Sequence, residues 1–216
     1  MIVISDVHGN FDILRRRMKE LRKKFPNDSF CQLGDMGIGF PKSQNSDFPK
    51  YFKFFAGNHD NPEVCQRHPN YLGKFGNAEI DGYKFFYLGG AWSIDRAFRI
   101  DGVSWWQEEE LTIAELNTAL DLYIETKPEI VLSHDGPFPA THYLMNRFAL
   151  QTQAWYKELS VEPTRTGQAL SAMFEAHQPK LWIFAHWHDD WEKNIKGTKF
   201  ICMKELGSIR IEDLVF

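Results

Sequence analysis

The chain has 216 residues, enough for one sizeable core, and its 43% hydrophobic and 25% charged residues are the balance of an ordinary globular protein. A net charge of −4 with a pI of about 6.1 gives no global basic field of the kind that drives non-specific nucleic-acid binding, although a metal centre can supply positive charge locally to an anionic substrate. The apolar runs are far shorter than the ~20 residues of a membrane helix. The opening MIVIS has no secretory pattern, and Cys31, Cys65 and Cys202 lack the spacing of a disulfide framework or thiolate zinc site, so the chain reads as cytoplasmic and reduced.

MIVIS at 1–5 reads as the first strand. FDILRRRMKELRKKF at 11–25 comes next as a helix with Ile13, Leu14, Met18 and Leu21 on one face and a basic surface opposite. SFCQLG at 29–34 and YFKFFAG at 51–57 are further strands, separated by an irregular stretch at 34–50. EIDGYKFFYL at 79–88 predicts a hairpin around Asp81-Gly82. In SWWQEEEL at 104–111 the paired Trp side chains are expected beneath a loop, with the acids opening a helix at its positive end. That helix runs over 111–127 with Ile113, Leu116, Leu120 and Ile124 on its apolar face, and Pro128 stops it. EIVLS at 129–133 is a strand, 167–178 a helix ending before Pro179, KLWIFA at 180–185 a strand, and 197–216 a closing hairpin. The irregular segment 136–166, with Tyr143, Arg147 and Trp155, reads as a small cap or rim insertion. No repeat or linker interrupts this, and the expectation is one α/β domain over 1–216.

The residues just past each strand carry the chemistry. MIVIS leads into Asp6 and His8, SFCQLG into Asp35, YFKFFAG into Asn58, His59 and Asp60, EIVLS into His134, and KLWIFA into His186 and His188. Carboxyl ends of strands in an α/β sheet converge on one crevice, so these junctions should meet in one pocket. Oxygen and nitrogen donors of this kind suit Mn, Fe, Zn or similar divalent ions, and a carboxylate can bridge two of them. Alone, Asp6 or Asp35 would be a turn or cap residue, Asn58 a turn residue and His134 a core histidine; five coincidences at five strand ends are a poorer account. His68, His142 and His177 stand outside the pattern and are read as structural.

In this order the residues resemble the calcineurin-like metallophosphoesterase superfamily: Asp6-Val7-His8, Gly34-Asp35, Gly57-Asn58-His59-Asp60, His134, and Ala185-His186-Trp187-His188. The resemblance implies a four-layer α/β/β/α sandwich with a dinuclear metal site at the carboxyl ends of its strands. It places Asp6, His8, Asp35 and His188 on one metal, and Asp35 as bridge with Asn58, His134 and His186 on the other. It further implies two divalent ions, Mn foremost with Fe, Zn or Ni as the other candidates, a metal-bridging hydroxide as nucleophile, and His59 as general acid. Asp60 either orients His59 or serves as a turn or cap residue.

Two departures stand out. Ala185 replaces the usual Gly before His-x-His, with Trp187 in the x position either packing in the wall or stacking on a substrate base, and no Asp-Arg-Gly comes after Gly34-Asp35, which weakens a protein-phosphatase reading. In LGGAWSIDRAFR at 88–99, similar to a segment of bacterial and phage metallophosphoesterases, Arg96 and Arg99 are candidates to grip phosphate or else pair with Asp95 or Asp101. The expected activity is hydrolysis of a phosphomonoester or phosphodiester of small or nucleotide-like size. The alternatives are a nuclease-type phosphodiesterase, which the acidic charge disfavours, and a non-catalytic protein-binding scaffold, which the full ligand set and His59 disfavour. No membrane partner is expected.

Overall fold

In the computed structural model, which describes residues 1–40, 47–152 and 164–216, ten strands form two sheets. Strands β1 (Ile2–Ile4), β2 (Phe30–Gln32) and β3 (Phe52–Phe54) run parallel, with β10 (Ser208–Arg210) antiparallel to β1, in the order β10-β1-β2-β3. The second sheet has the order β4-β5-β6-β7-β9-β8, from β4 (Phe75–Ile80), β5 (Tyr83–Leu88), β6 (Ile130–Ser133), β7 (Leu181–Phe184), β8 (Trp191–Ile195) and β9 (Thr198–Cys202).

Strand alternation assigns each side chain to a layer. Val3, Cys31, Phe85, Tyr87, Ile130, Leu132, Leu181 and Ile183 meet between the sheets in one buried cluster. Their neighbours Ile2, Ile4, Phe30, Phe52 and Phe54 turn outward to pack with Phe11, Leu14 and Met18 of α1 (Phe11–Lys24). Phe86, Val131, Trp182 and Phe184 pack outward on Leu116, Ala119 and Tyr123 of α3 (Ile113–Thr126) and on Leu170, Met173 and Phe174 of α5 (Arg165–Ala176). Three clusters separate four layers, helix, sheet, sheet and helix, as expected of the α/β/β/α sandwich. Burial on both faces explains why these strands read as continuous apolar runs.

Where the helices turn differs from expectation. On α3 the buried arc is Leu116, Ala119 and Tyr123, while Ile113 and Ile124 are 68% and 43% exposed. The small Ala119 and the large Tyr123, whose hydroxyl donates to the His177 carbonyl at 2.8 Å, rotate the face toward the sheet. On α1, Phe11 replaces Ile13, which is 41% exposed. The acids of 108–110 precede α3 in a 3₁₀ turn at Gln107–Glu109, and Thr112 caps the helix in a capping box with Glu115. Glu109 and Glu110 are buried; they do not serve as a charged helix start.

The Asp81-Gly82 hairpin joins β4 to β5 as expected, both turn residues having positive φ (52° and 80°). The expected hairpin over 197–216 is not formed. β9 pairs instead with β8 around Lys196-Gly197, and β10 crosses to β1 in the other sheet. In the segment expected as a cap, α4 (Phe138–Thr152) lies against β8, where Tyr143 stacks on Trp191 at 5.8 Å. Trp155 and the Arg147 side chain lie outside the described residues. No helix among the described residues is long and apolar enough to cross a membrane.

Thr112→Ala removes the hydroxyl that accepts the Glu115 amide and leaves only the backbone half of the capping box, and should cost about 1 kcal/mol, read as a lower urea midpoint with an unchanged denaturant slope.

Candidate active site

Five chain segments, three leaving the first sheet (after β1, β2 and β3) and two leaving the second (after β6 and β7), line up across the seam between the sheets. Asp6, His8, Asp35 and His188 place one ligand atom each within 4.8 Å of one another, and Asp35, His134 and His186 form a second such group. Asp35 belongs to both. Asn58 joins the second group, its Oδ1 lying 3.0 Å from His134 Nε2 and 3.0 Å from His186 Nδ1. All seven residues singled out as ligands are therefore brought together. His8, Asp35, Asn58, His186 and His188 line a cleft of about 360 Å³ whose walls include His59, Ile94, Asp95, Arg99 and Trp187, with Asp6 and His134 buried beneath it.

The backbone is bent to place them. His8, Asp35, His186 and His188 all have positive φ, between 48° and 64°, a region side chains other than glycine enter at a cost of about 1–3 kcal/mol. Gly57 lies so close that an added Cβ would stand 2.2 Å from Asp35 Oδ1 and 2.6 Å from His134 Nε2. Gly34, at φ +99°, would likewise meet His134 Nδ1 at 2.6 Å. The glycines before Asp35 and Asn58 thus let two strand ends approach one imidazole.

Charge and hydrogen bonding at the cluster fit divalent cations. Asp6 Oδ2 is buried without a partner, which for a carboxylate oxygen costs several kcal/mol unless a cation satisfies it. His8 and His188 turn their Nε2 atoms on each other at 3.0 Å. His134 donates Nδ1–H to the Leu33 carbonyl at 2.8 Å, which leaves Nε2 to face Asn58 Oδ1 and Asp35 Oδ1, two acceptors. Burial alone would lower His134, but the facing Asp35 carboxylate raises it to about 9. Burial favours the neutral acid at Asp35, yet His134, His59 and His8 together hold it well below the usual carboxylate range. The cluster therefore draws positive charge, and its donors are oxygen and imidazole nitrogen. The three cysteines are buried, one in each core cluster, and none belongs to either donor group. Burial, reinforced by His134, pushes His186 down to about 3, leaving a neutral ring fit to ligate.

The remaining candidates separate. His59 faces the cleft from the residue after Asn58, and its own N–H donates to Asp35 Oδ1 at 2.7 Å. Its Nε2 meets the guanidinium of Arg99, which also pairs with Asp95 at 2.6 Å. A guanidinium only donates, so His59 Nε2 carries its lone pair. Burial, with help from Arg99 and His8 against the pull of Asp35, takes His59 down to about 4. Arg96 does not reach the cleft: its guanidinium lies 5.0 Å over Trp105 and 5.8 Å over Trp92.

Asp60 neither orients His59 nor caps a helix. Its Oδ1 accepts the amides of Gly37 (2.8 Å) and Ile38 (2.9 Å), and its Oδ2 those of Gly57 (2.9 Å) and Met36 (3.2 Å). It ties the loop after Asp35 to the loop before Asn58. The cap of α2 (Pro62–Gln66) is Asn61. Trp187 packs in the wall and donates its indole N–H to Asp135 Oδ1 at 2.8 Å. Two residues that reach the cluster from behind carried no signal in the sequence. Ser93 accepts from Asn58 Nδ2 at 2.9 Å, and Glu109 accepts from Ser93. One serine in a loop and the middle acid of three have no periodicity to say which way they face.

A model of the calcineurin-like phosphoesterase family matches residues 1–190. No curated protein matches the chain. Among solved structures, the chain is similar to a conserved protein of Streptococcus pneumoniae TIGR4 described as a predicted phosphoesterase, at 14% identity and a TM-score of 0.38 over 94% of this chain and 71% of the other. It is similar to an archaeal phosphodiesterase at 12% and 0.40, over 95% and 84% of the two chains. It is similar too to the phosphopantetheinyl hydrolase of Mycobacterium tuberculosis at 12% and 0.47, over 94% and 89%.

Asp60→Asn replaces one acceptor end by an NH₂ that must face two amide donors, and should cost about 3 kcal/mol of stability by urea unfolding. A loss within about 0.5 kcal/mol of zero would show that the four amides are satisfied otherwise.

Proposed function

The chain belongs to the calcineurin-like phosphoesterases, and from that premise we propose that it hydrolyses small or nucleotide-like phosphoesters at a centre holding two divalent cations, Mn²⁺ foremost. The observation that carries this reading is the pair of donor groups sharing Asp35 across the seam of the two sheets. Asp6, His8, Asp35 and His188 would hold one cation, and Asp35, Asn58, His134 and His186 the other. Such cations supply Lewis acidity toward phosphoryl oxygens and water acidified into a nucleophile near neutral pH.

The residues around them have separate tasks. Arg99, half-turned into the cleft and steadied by Asp95, presents a planar fork suited to two non-bridging phosphate oxygens. A phosphate anion is a better partner for that guanidinium than a neutral imidazole, so substrate draws Arg99 away from His59. Freed of Arg99, which helps hold the ring neutral, and set beside the phosphate anion, His59 Nε2 takes a proton from solvent and passes it to the leaving oxygen of the ester. Ile94 and Trp187 in the cleft wall limit water there and contact the organic part of the ester.

Asp35→Asn should reduce bound Mn²⁺ from two equivalents per chain to less than one, by metal analysis after dialysis. Retention of one full equivalent would deny Asp35 a place in both groups.

With metal-stripped protein refilled with Mn²⁺, hydrolysis of bis-p-nitrophenyl phosphate and p-nitrophenyl phosphate should reveal which ester class is taken. His59→Ala is expected to lower kcat about 10²–10⁴-fold with metal content unchanged. Arg99→Ala is expected to raise KM about 10–100-fold, the loss of one charge-assisted contact. Silence on both esters with two metals bound would overturn the catalytic reading and favour a protein-binding role.

A further inference from the structure

From Asn58 at the floor of the cleft, a chain of three buried polar side chains runs back behind the second donor group, and its inner members Ser93 and Glu109 do not line the cleft. Asn58, Ser93 and Glu109 are 2%, 0% and 4% exposed. Asn58 lies just past the end of β3, Ser93 in the loop after β5, and Glu109 in the 3₁₀ turn before α3, so three distant segments meet here. The backbone N–H of Ser93 donates to Glu109 Oε1 at 3.1 Å, and the Ser93 hydroxyl donates to Glu109 Oε2. Having spent its only proton on the carboxylate, the hydroxyl can only accept from Asn58, and Asn58 Nδ2 lies 2.9 Å away. The amide is thereby oriented with its NH₂ backward and its Oδ1 forward, 3.0 Å from both His134 Nε2 and His186 Nδ1.

We propose that Ser93 and Glu109 are positioning residues that set the polarity of Asn58, turning an amide that could face either way into an oxygen ligand for the second cation. The inference rests on the two-cation reading and adds the device that makes one of its ligands work. An amide oxygen is a ligand and an amide NH₂ is not, so a flip of Asn58 removes a ligand without displacing an atom of the backbone. The same strut also roots the loop that carries Arg99. Ala91 N–H donates to the Glu109 carbonyl at 3.1 Å, and a Cβ on Gly90 would meet that carbonyl at 2.5 Å. Side chain and main chain of one residue thus hold both the ligand and the substrate-facing segment.

The test exploits a reversal of hydrogen-bond direction. In Glu109→Gln the carboxamide must give its oxygen to the Ser93 N–H, because a backbone amide cannot accept. Its NH₂ then faces the Ser93 hydroxyl, which becomes an acceptor and sends its proton to Asn58. That proton calls Oδ1 backward and turns NH₂ toward His134 and His186. Calorimetric titration of the stripped full-length chain with Mn²⁺ should show one site weakened about 10–100-fold, the scale on which outer partners of metal ligands act, and the other near wild type. In an Asn58→Asp background the same Glu109→Gln change should cost less than about threefold, since an introduced carboxylate accepts from the reversed hydroxyl and still offers an oxygen forward. Thermal unfolding of each variant in chelator reports whether the fold is kept. Should Glu109→Gln fail that control, Ser93→Ala, which keeps the backbone bond to Glu109 and deletes only the hydroxyl, is expected to give the same one-site loss. Equal weakening of both sites, no weakening in either variant, or the same penalty in the Asn58 and Asn58→Asp backgrounds would overturn the positioning role while leaving the two-cation reading intact. Wild-type protein that binds no Mn²⁺ would overturn both.

Discussion

The buried carboxylate of Asp35 is the constraint to which the rest of the centre is built. It sits at the end of β2, 1% exposed, where both donor groups need it at once. A charge so buried is costly unless hydrogen bonds and opposite charge surround it. Here the His59 amide donates to Oδ1, His134 approaches the same oxygen at 3.2 Å, and His8 stands 3.9 Å from Oδ2. Each neighbour must come close, and closeness is what removes the Cβ at Gly57 and Gly34. Left-handed backbone at Asp35 itself and at His8, His186 and His188 stems from the same demand. Side chains from two sheets can meet on one carboxylate only if the chain turns sharply as it leaves each strand.

Around this centre, acids that bind no cation brace those that are suited to one. Asp60 gathers four amides and so fixes the two loops on which Asp35 and Asn58 stand. Asp135, beside His134, accepts from the Gly136 amide at 2.7 Å and from the Trp187 indole, which holds the residue between His186 and His188. Glu109 does the same through Ser93. In each case a buried carboxylate is satisfied by donors from a different segment, so the brace exists only when both segments are in place. Such networks define a geometry rather than add much net stability, because desolvation offsets most of what they gain.

How much of this could be read in advance depended on the range of the interaction. That seven oxygen and nitrogen donors would meet was legible because each lies just past an apolar strand, and strand ends converge by the rules of α/β topology. The layers were legible because strands buried on both faces leave uninterrupted apolar runs. Helix faces were less so. Ile113 and Ile124 match the periodicity of α3 as well as Tyr123 does, and only the fit of Tyr123 against Phe86 and Trp182 decided which arc turned inward. The last hairpin was misplaced because Ser208–Arg210 has the pattern of a strand but finds its partner at the opposite end of the chain. Arg96 and Arg99 lie three residues apart in a loop without period. Two tryptophans claim one, and Asp95 with His59 claims the other.

The amino-acid sequence by itself determined the family, the sandwich and the seven donors, because each of these depends on a residue and its immediate neighbours along one strand end. Tertiary structure alone decided what the buried acids Asp60, Glu109 and Asp135 brace, which arginine faces the cleft, and which way Asn58 turns its amide. Those choices are made by hydrogen-bond donors and close contacts supplied from elsewhere in the chain, and local sequence carries no record of what will stand opposite.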